Sequence, residues 1–269
     1  MVNFLLAAAL AAASPAAEPI IAADDSPAIF VVRDADTTVY IFGTFHALDG
    51  KSDWFNHRVK TAFEQSGELV LETVIPEAPA PRPAFTLPTP QFGALPVAPS
   101  ASFLATTRMA INAGRSQGMQ VGNGADMILR RAADRSGKPV EGLETLESQL
   151  AMFTRMPTAG AASAPRATAP AKDAAAMESL SRAMAEMQQA WKRGDQSVFV
   201  RMLGQLQANS PDTYRMMFTE RNGRWADWIA GRMQYPGTVF VAVGAGHLAG
   251  RDSLLVRLAE QGIESERLN

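Results

Sequence analysis

Val39-Tyr40-Ile41-Phe42-Gly43-Thr44-Phe45-His46 and Val239-Phe240-Val241-Ala242-Val243-Gly244-Ala245-Gly246-His247 stand at opposite ends of the chain. Each is a β-branched and aromatic run, the composition of a half-buried or buried strand, that reaches a glycine and, three residues after it, a histidine. The chain holds three histidines and 20 glycines among 269 residues, so two histidines with the same spacing exceed what composition alone predicts. The likeness extends outward, with Thr38-Val39-Tyr40 beside Thr238-Val239-Phe240 and His46-Ala47-Leu48-Asp49-Gly50 beside His247-Leu248-Ala249-Gly250. A diverged internal repeat accounts for it, each histidine lying just past a strand.

Around the first copy, residues 28–33 and 38–42 are short strand-like runs separated by the turn-forming Asp34-Ala35-Asp36-Thr37, which predicts a hairpin. Ser52 is placed to cap a helix over 53–65 that buries Trp54, Val59, Ala62 and Phe63, with Gly67 near its end. Residues 68–74 then read as a third strand. Helical spacing of apolar residues fills the middle at 101–118, 125–136, 144–153, 174–193 and 197–206, with a short strand at 138–141. Pro211 and Asp212 open another helix that Gly231 and Pro236-Gly237 end, and a last helix spans 252–261. The predicted fold is α/β: a central mixed sheet with flanking helices, two diverged Gly-x-x-His half-repeats and a mostly helical middle segment.

Residues 1–17 carry no charged side chain and include the apolar run Phe4 to Ala13 followed by small residues, which reads as a secretory signal peptide and predicts a periplasmic or secreted protein. That run is too short to span a bilayer, so no membrane span is expected after cleavage. A single domain over 24–269 follows, interrupted by a Pro-rich loop at 76–99 and an Ala/Pro linker at 157–172. There are no cysteines, which excludes disulfides, thiolate metal sites and a Cys nucleophile. The net charge is −2 and the basic residues are scattered, so no nucleic-acid partner is expected, and a peptide or small-molecule substrate is.

With no thiolates, a metal would be held by imidazoles and carboxylates. Two strand-end histidines meet if their strands are parallel neighbours, because ligands of open α/β sheets bind outside the carboxyl ends of the strands. The paired glycines would serve such a site by allowing positive φ or a close backbone approach, whereas either copy alone reads more readily as an ordinary loop glycine beside a structural histidine. His57 lies on a predicted helix beside Arg58 and is expected at the surface. Glu72 interrupts an apolar strand and either needs a partner or a metal, or reaches solvent at the strand end. Glu144 either belongs to the site or occupies a first helical turn, where carboxylates suit the helix dipole. Arg221 and Asn222 are either solvated helix residues or a pair in which Arg meets a site carboxylate or steadies an oxyanion while Asn hydrogen-bonds beside it.

Taken in order, Tyr40 to His46, Leu69-Val70-Leu71-Glu72, Gly137 to Leu150, Ala190-Trp191-Lys192-Arg193-Gly194-Asp195, Glu220-Arg221-Asn222 and Val243 to Gly250 resemble the TraB/GumN family, with the TIKI metalloproteases as distant relatives. The resemblance implies an α/β domain whose two Gly-x-x-His motifs and at least one Glu share a site. It makes His46, His247 and Glu72 the candidate ligands of a divalent ion (Mn, Co or Zn), with Glu72 a ligand or general base. Glu72, Glu144, Arg221 and Asn222 form the candidate catalytic set. The implied function is a metal-dependent, peptidase-like hydrolase. The alternative is a non-catalytic periplasmic binding protein that sequesters a peptide signal or a metal-containing ligand, as fits relatives linked to pheromone shutdown. The Pro-rich stretch after Glu72 and the linker after Pro157 depart from the family pattern and leave substrate recognition unassigned.

Overall fold

The computed structural model describes residues 26–74, 101–155 and 170–268. The expected signal peptide, the expected Pro-rich loop and most of the expected Ala/Pro linker lie outside these residues, and the linker's last three expected positions begin a helix instead.

Strand β1 (Ile29–Arg33) turns into β2 (Thr37–Thr44) as an antiparallel hairpin. The Asp34 carboxylate makes the turn by accepting from the backbone N–H of Asp36 and Thr37 at 3.1 and 2.8 Å. Strand β5 (Gly237–Gly244) lies parallel to β2, pairing Thr38 with Thr238, Val39 with Val239, and so on to Thr44 with Gly244. On the other side of β5 stand β3 (Glu68–Thr73) and then β4 (Val140–Glu144), both parallel to it, while β6 (Glu266–Arg267) pairs antiparallel with β1 at the far edge. The order is β4-β3-β5-β2-β1-β6. Four parallel strands therefore end at the same side, which delivers His46, Glu72, Glu144 and His247 to one edge of the sheet.

Strand alternation divides the core in two. Val39, Ile41, Val70, Val239 and Val241 face α8 (Glu220–Arg232) and α9 (Leu254–Glu260) through Trp225, Ile229, Leu254 and Leu258. Phe42, Leu69, Leu71 and Phe240 face α1 (His57–Gln65) and α3 (Ala125–Ser136) across Trp54 and Trp191. Full burial of each such side chain contributes about 1.5–3 kcal/mol. The remaining helices are α2 (Ala101–Ser116), α4 (Leu146–Arg155), α5 (Pro170–Lys192), α6 (Ser197–Asn209) and α7 (Pro211–Tyr214).

Three details differ from the sequence-based expectation. Helix α1 begins at His57, capped by the Asn56 side chain on Val59 N–H rather than by Ser52; Trp54 instead leaves helical geometry to stack on Phe42 with ring centroids 5.5 Å apart. Glu144 is the last residue of β4 and not part of a helix, because Thr145 takes the cap of α4 through Ser148 N–H. The helix opened by Pro211 widens into a π-turn at Arg215–Thr219 before α8. His57 is exposed, as expected.

Candidate functional site

Arg221 is the hub. It sits in the first turn of α8, 4% exposed, with its guanidinium 4.5 Å from the Trp225 ring centroid. Its Nε donates to both oxygens of Glu144 at 3.0 and 3.1 Å, and its Nη2 donates to Glu72 Oε2 at 2.8 Å. Nη1 reaches Met217 O at 3.4 Å, a carbonyl that the π-turn carries toward it, and lies 3.2 Å from His247 Nε2. Arg224 adds a second cation to Glu144 at 3.2 Å.

His247 lies on a short 3-10 turn after β5 (Ala245–Leu248), buried between the rings of Phe218 and Trp225 at 4.8 and 4.4 Å. Asn222 sets its tautomer. The Asn222 amide Nδ2 donates to Asp252 O at 2.7 Å, which leaves Oδ1 to accept from His247 Nδ1 at 2.7 Å. The Nε2 lone pair then faces Arg221. Burial first, and then the neighbouring charges of Arg221 and His46, press the His247 pKa down to about 3 against the pull of Glu72, so the ring is neutral.

Glu72 accepts from Gly244 N–H at 2.5 Å as well as from Arg221. Burial works against its charge, but His247, Arg221, His46 and the Gly244 N–H outweigh it and hold the carboxyl at about 2. A side chain at Gly244 would put its Cβ 3.1 Å from Glu72 Oε1, 3.5 Å from His46 Nε2 and 3.7 Å from His247 Cδ2, so the two imidazoles and the carboxylate converge on a point that only glycine leaves free. Gly43 has a similar reason: a Cβ there would meet Ala245 Cα at 3.2 Å, where the two histidine loops cross. Neither glycine is among those with positive φ, so close approach rather than left-handed backbone selects them.

His46 differs from His247. Its side chain is 62% exposed, and its Nδ1 lies 3.3 Å from Asp126 Oδ1 in the first turn of α3. That carboxylate oxygen is buried with no hydrogen bond of its own, so the contact is a close ion pair rather than an aligned bond. Enclosure of the ring opposes its charge, but Asp126, with help from Glu72, prevails over that and over Arg221 and raises the pKa to about 9. Asp126 is absent from the sequence-based candidates. Its one signal is a carboxylate two residues after Gly124, which reads as a helix-dipole residue until Ala125 N–H is seen bonded to Phe45 O at 3.0 Å beside His46.

All six residues expected from the sequence, His46, Glu72, Glu144, Arg221, Asn222 and His247, thus belong to one constellation. The expected divalent ion does not fit them as arranged. Among the described residues no group of three or more His, Asp and Glu side chains is placed to hold an ion, and the His247 lone pair that a metal would use points at a cation.

Above this polar floor opens a cleft of about 1070 Å³, walled by Met119, Met184, Met187, Met202, Phe153 and Phe199. Methionine walls adapt to irregular apolar ligands. Among the described residues no helix is long and apolar enough to cross a membrane. A family model described as the TraB/PrgY/gumN family matches the chain over residues 28–96 and 87–267. No curated protein and no solved structure matches it.

Proposed function

The chain belongs to the TraB/PrgY/gumN family, and from that membership and the floor of the cleft we propose that it is a peptidase-like hydrolase of apolar peptide-like substrates. The observation that carries the proposal is the convergence of His46 Nε2, Glu72 and a buried cation beneath an apolar cleft. His46 is the floor's proton carrier: it is open to the cleft, and Asp126 holds its other nitrogen. In its neutral form Nε2 takes a proton from water as the water oxygen attacks the scissile carbonyl. The same proton then passes to the leaving nitrogen as the C–N bond breaks. Arg221 has five N–H groups, of which, among the described residues, one on Nη2 has no partner; in this reading it receives the developing oxyanion. Glu72, bonded by Gly244 and Arg221, orients that cation instead of serving as base. Glu144, Asn222 and His247 fix Arg221 from behind.

The metal-dependent form of the reaction, with Mn, Co or Zn held by His46, His247 and Glu72, is the competing proposal and requires Arg221 to release His247. A periplasmic or secreted location, with cleavage after the leader, belongs to the proposal too and is checked by sequencing the amino terminus of the exported protein. The deciding experiment is a peptide-library assay of wild type, His46→Ala and His247→Ala, after chelation and again with each ion restored. Turnover that survives chelation and disappears in His46→Ala supports the hydrolase; turnover that returns only with an ion supports its metal-dependent form. Tight peptide binding with no turnover under any condition overturns both and leaves the binding protein that sequesters its ligand.

A further inference from the structure

We infer that the Arg221 guanidinium is the resident cation of this site, filling the place between His247 and Glu72 that a divalent ion would need, so that the chain works without a metal. The statement that it works rests on the proposed hydrolase; the exclusion of the ion rests on geometry alone.

His247 offers an ion a single nitrogen. Its Nδ1 is committed to Asn222, which is itself anchored on the backbone of Asp252, and the ring is packed between Phe218 and Trp225. The remaining Nε2 faces Arg221 Nη1 at 3.2 Å. Glu72 is occupied in the same way, one oxygen by Arg221 at 2.8 Å and the other by Gly244 N–H at 2.5 Å.

Arg221 is not a side chain that swings aside. It is buried, its guanidinium lies over the Trp225 ring, and its Nε holds both oxygens of Glu144. Withdrawing it would leave the buried Glu144 with only the exposed Arg224, and Glu72 with only a backbone donor. Adding a dication while it stays would set three positive charges, besides that of Arg224, within contact range of two carboxylates. A single guanidinium meets the same carboxylates with directed hydrogen bonds and leaves an N–H over for substrate.

The test uses the untagged full chain. Wild type, Arg221→Met and Arg221→Ala are stripped with chelator, dialysed against micromolar zinc, manganese or cobalt, and analysed for bound metal and for melting midpoint. Arg221→Met keeps an apolar side chain at this position while removing the charge. The expected result is that wild type retains far less than one equivalent and its midpoint does not move. The Arg221 variants gain about one equivalent and melt higher with the ion, and Glu72→Gln added to either abolishes the gain. A wild type that holds about one ion per chain, lost in His46→Ala or His247→Ala, overturns the inference. So do folded Arg221 variants that gain nothing. Should neither Arg221 variant fold, the wild-type stoichiometry and its dependence on His46 and His247 decide alone. Peptide turnover is read separately, so failure of the hydrolase leaves this result standing.

Discussion

The two histidine loops leave neighbouring strands at the same sheet edge, yet their environments are opposite. His247 is neutral, sandwiched by rings and hydrogen-bonded at both nitrogens. His46 is open to the cleft, carries a raised pKa and touches one carboxylate. One sequence pattern therefore serves two purposes. The difference arises from what packs on each loop: α8 brings Arg221, Asn222 and Trp225 onto His247, whereas α3 brings only Asp126 to His46. Likeness in sequence does not by itself assign two residues the same role, and here it joins a buried imidazole to an exposed one.

The strongest challenge to this division is Arg221→Met. Leaving Glu72 and Glu144 buried without their shared partner should cost about 3–5 kcal/mol, measured by urea unfolding; a loss under about 1 kcal/mol would show that the buried end is not a framework. Next, His46→Ala should lower peptide turnover by about 10²–10⁴-fold, with unfolding free energy changed by no more than about 0.5 kcal/mol above pH 9, where the pairing with Asp126 no longer contributes. His247→Ala should show the reverse weighting and destabilise by about 1–3 kcal/mol, because Asn222 and Arg221 lose an acceptor or donor. Equal effects of the two variants on stability would erase the distinction.

The loops should also part company with pH. His247 has its pKa lowered from 6.5 to about 3, so the unfolded chain takes up the proton first and stability falls as pH drops below about 6.5. Glu72, lowered from 4.5 to about 2, adds to the same loss as pH falls through that interval. His46 is raised from 6.5 to about 9, so its contribution is complete below 6.5 and fades as pH climbs through 9. Stability plotted against pH should flatten between 6.5 and 4.5 in His247→Gln, and between 6.5 and 9 in His46→Gln. The smallest expected effect is Asp126→Asn, which should move the alkaline rise of turnover with pH toward neutrality and lower the unfolding midpoint only below pH 9. An unmoved profile would remove Asp126 from the site.

The sheet's centre was open to inspection in the sequence because strand identity there is carried by side chains that must be buried on both faces. Thr38-Val39-Tyr40 and Thr238-Val239-Phe240 look alike and stand side by side in register. Helix α3 is also found where its apolar spacing puts it, with its end at Gly137, whose φ is +66°. Strand β6 was invisible, since Glu266 and Arg267 have no strand character and pair with β1 only because the edge is free. The site residues were legible as a set but their partnerships were not. Arg221 and Glu144 are joined by a side-chain fork across distant segments, and no spacing along the chain encodes that Arg221 would point at the nitrogen a metal would otherwise take. Asp126 escaped for a similar reason: its significance comes from where α3 docks.

Because β5 is inserted between β3 and β2, the floor depends on a strand synthesised long after both of its neighbours. Until Gly237–Gly244 emerges, β2 and β3 have no common neighbour, and neither the Gly244 amide nor His247 exists to meet Glu72. Closing this long loop is slow relative to local helix formation. A nascent chain therefore cannot assemble the floor until β5 joins the sheet between β3 and β2.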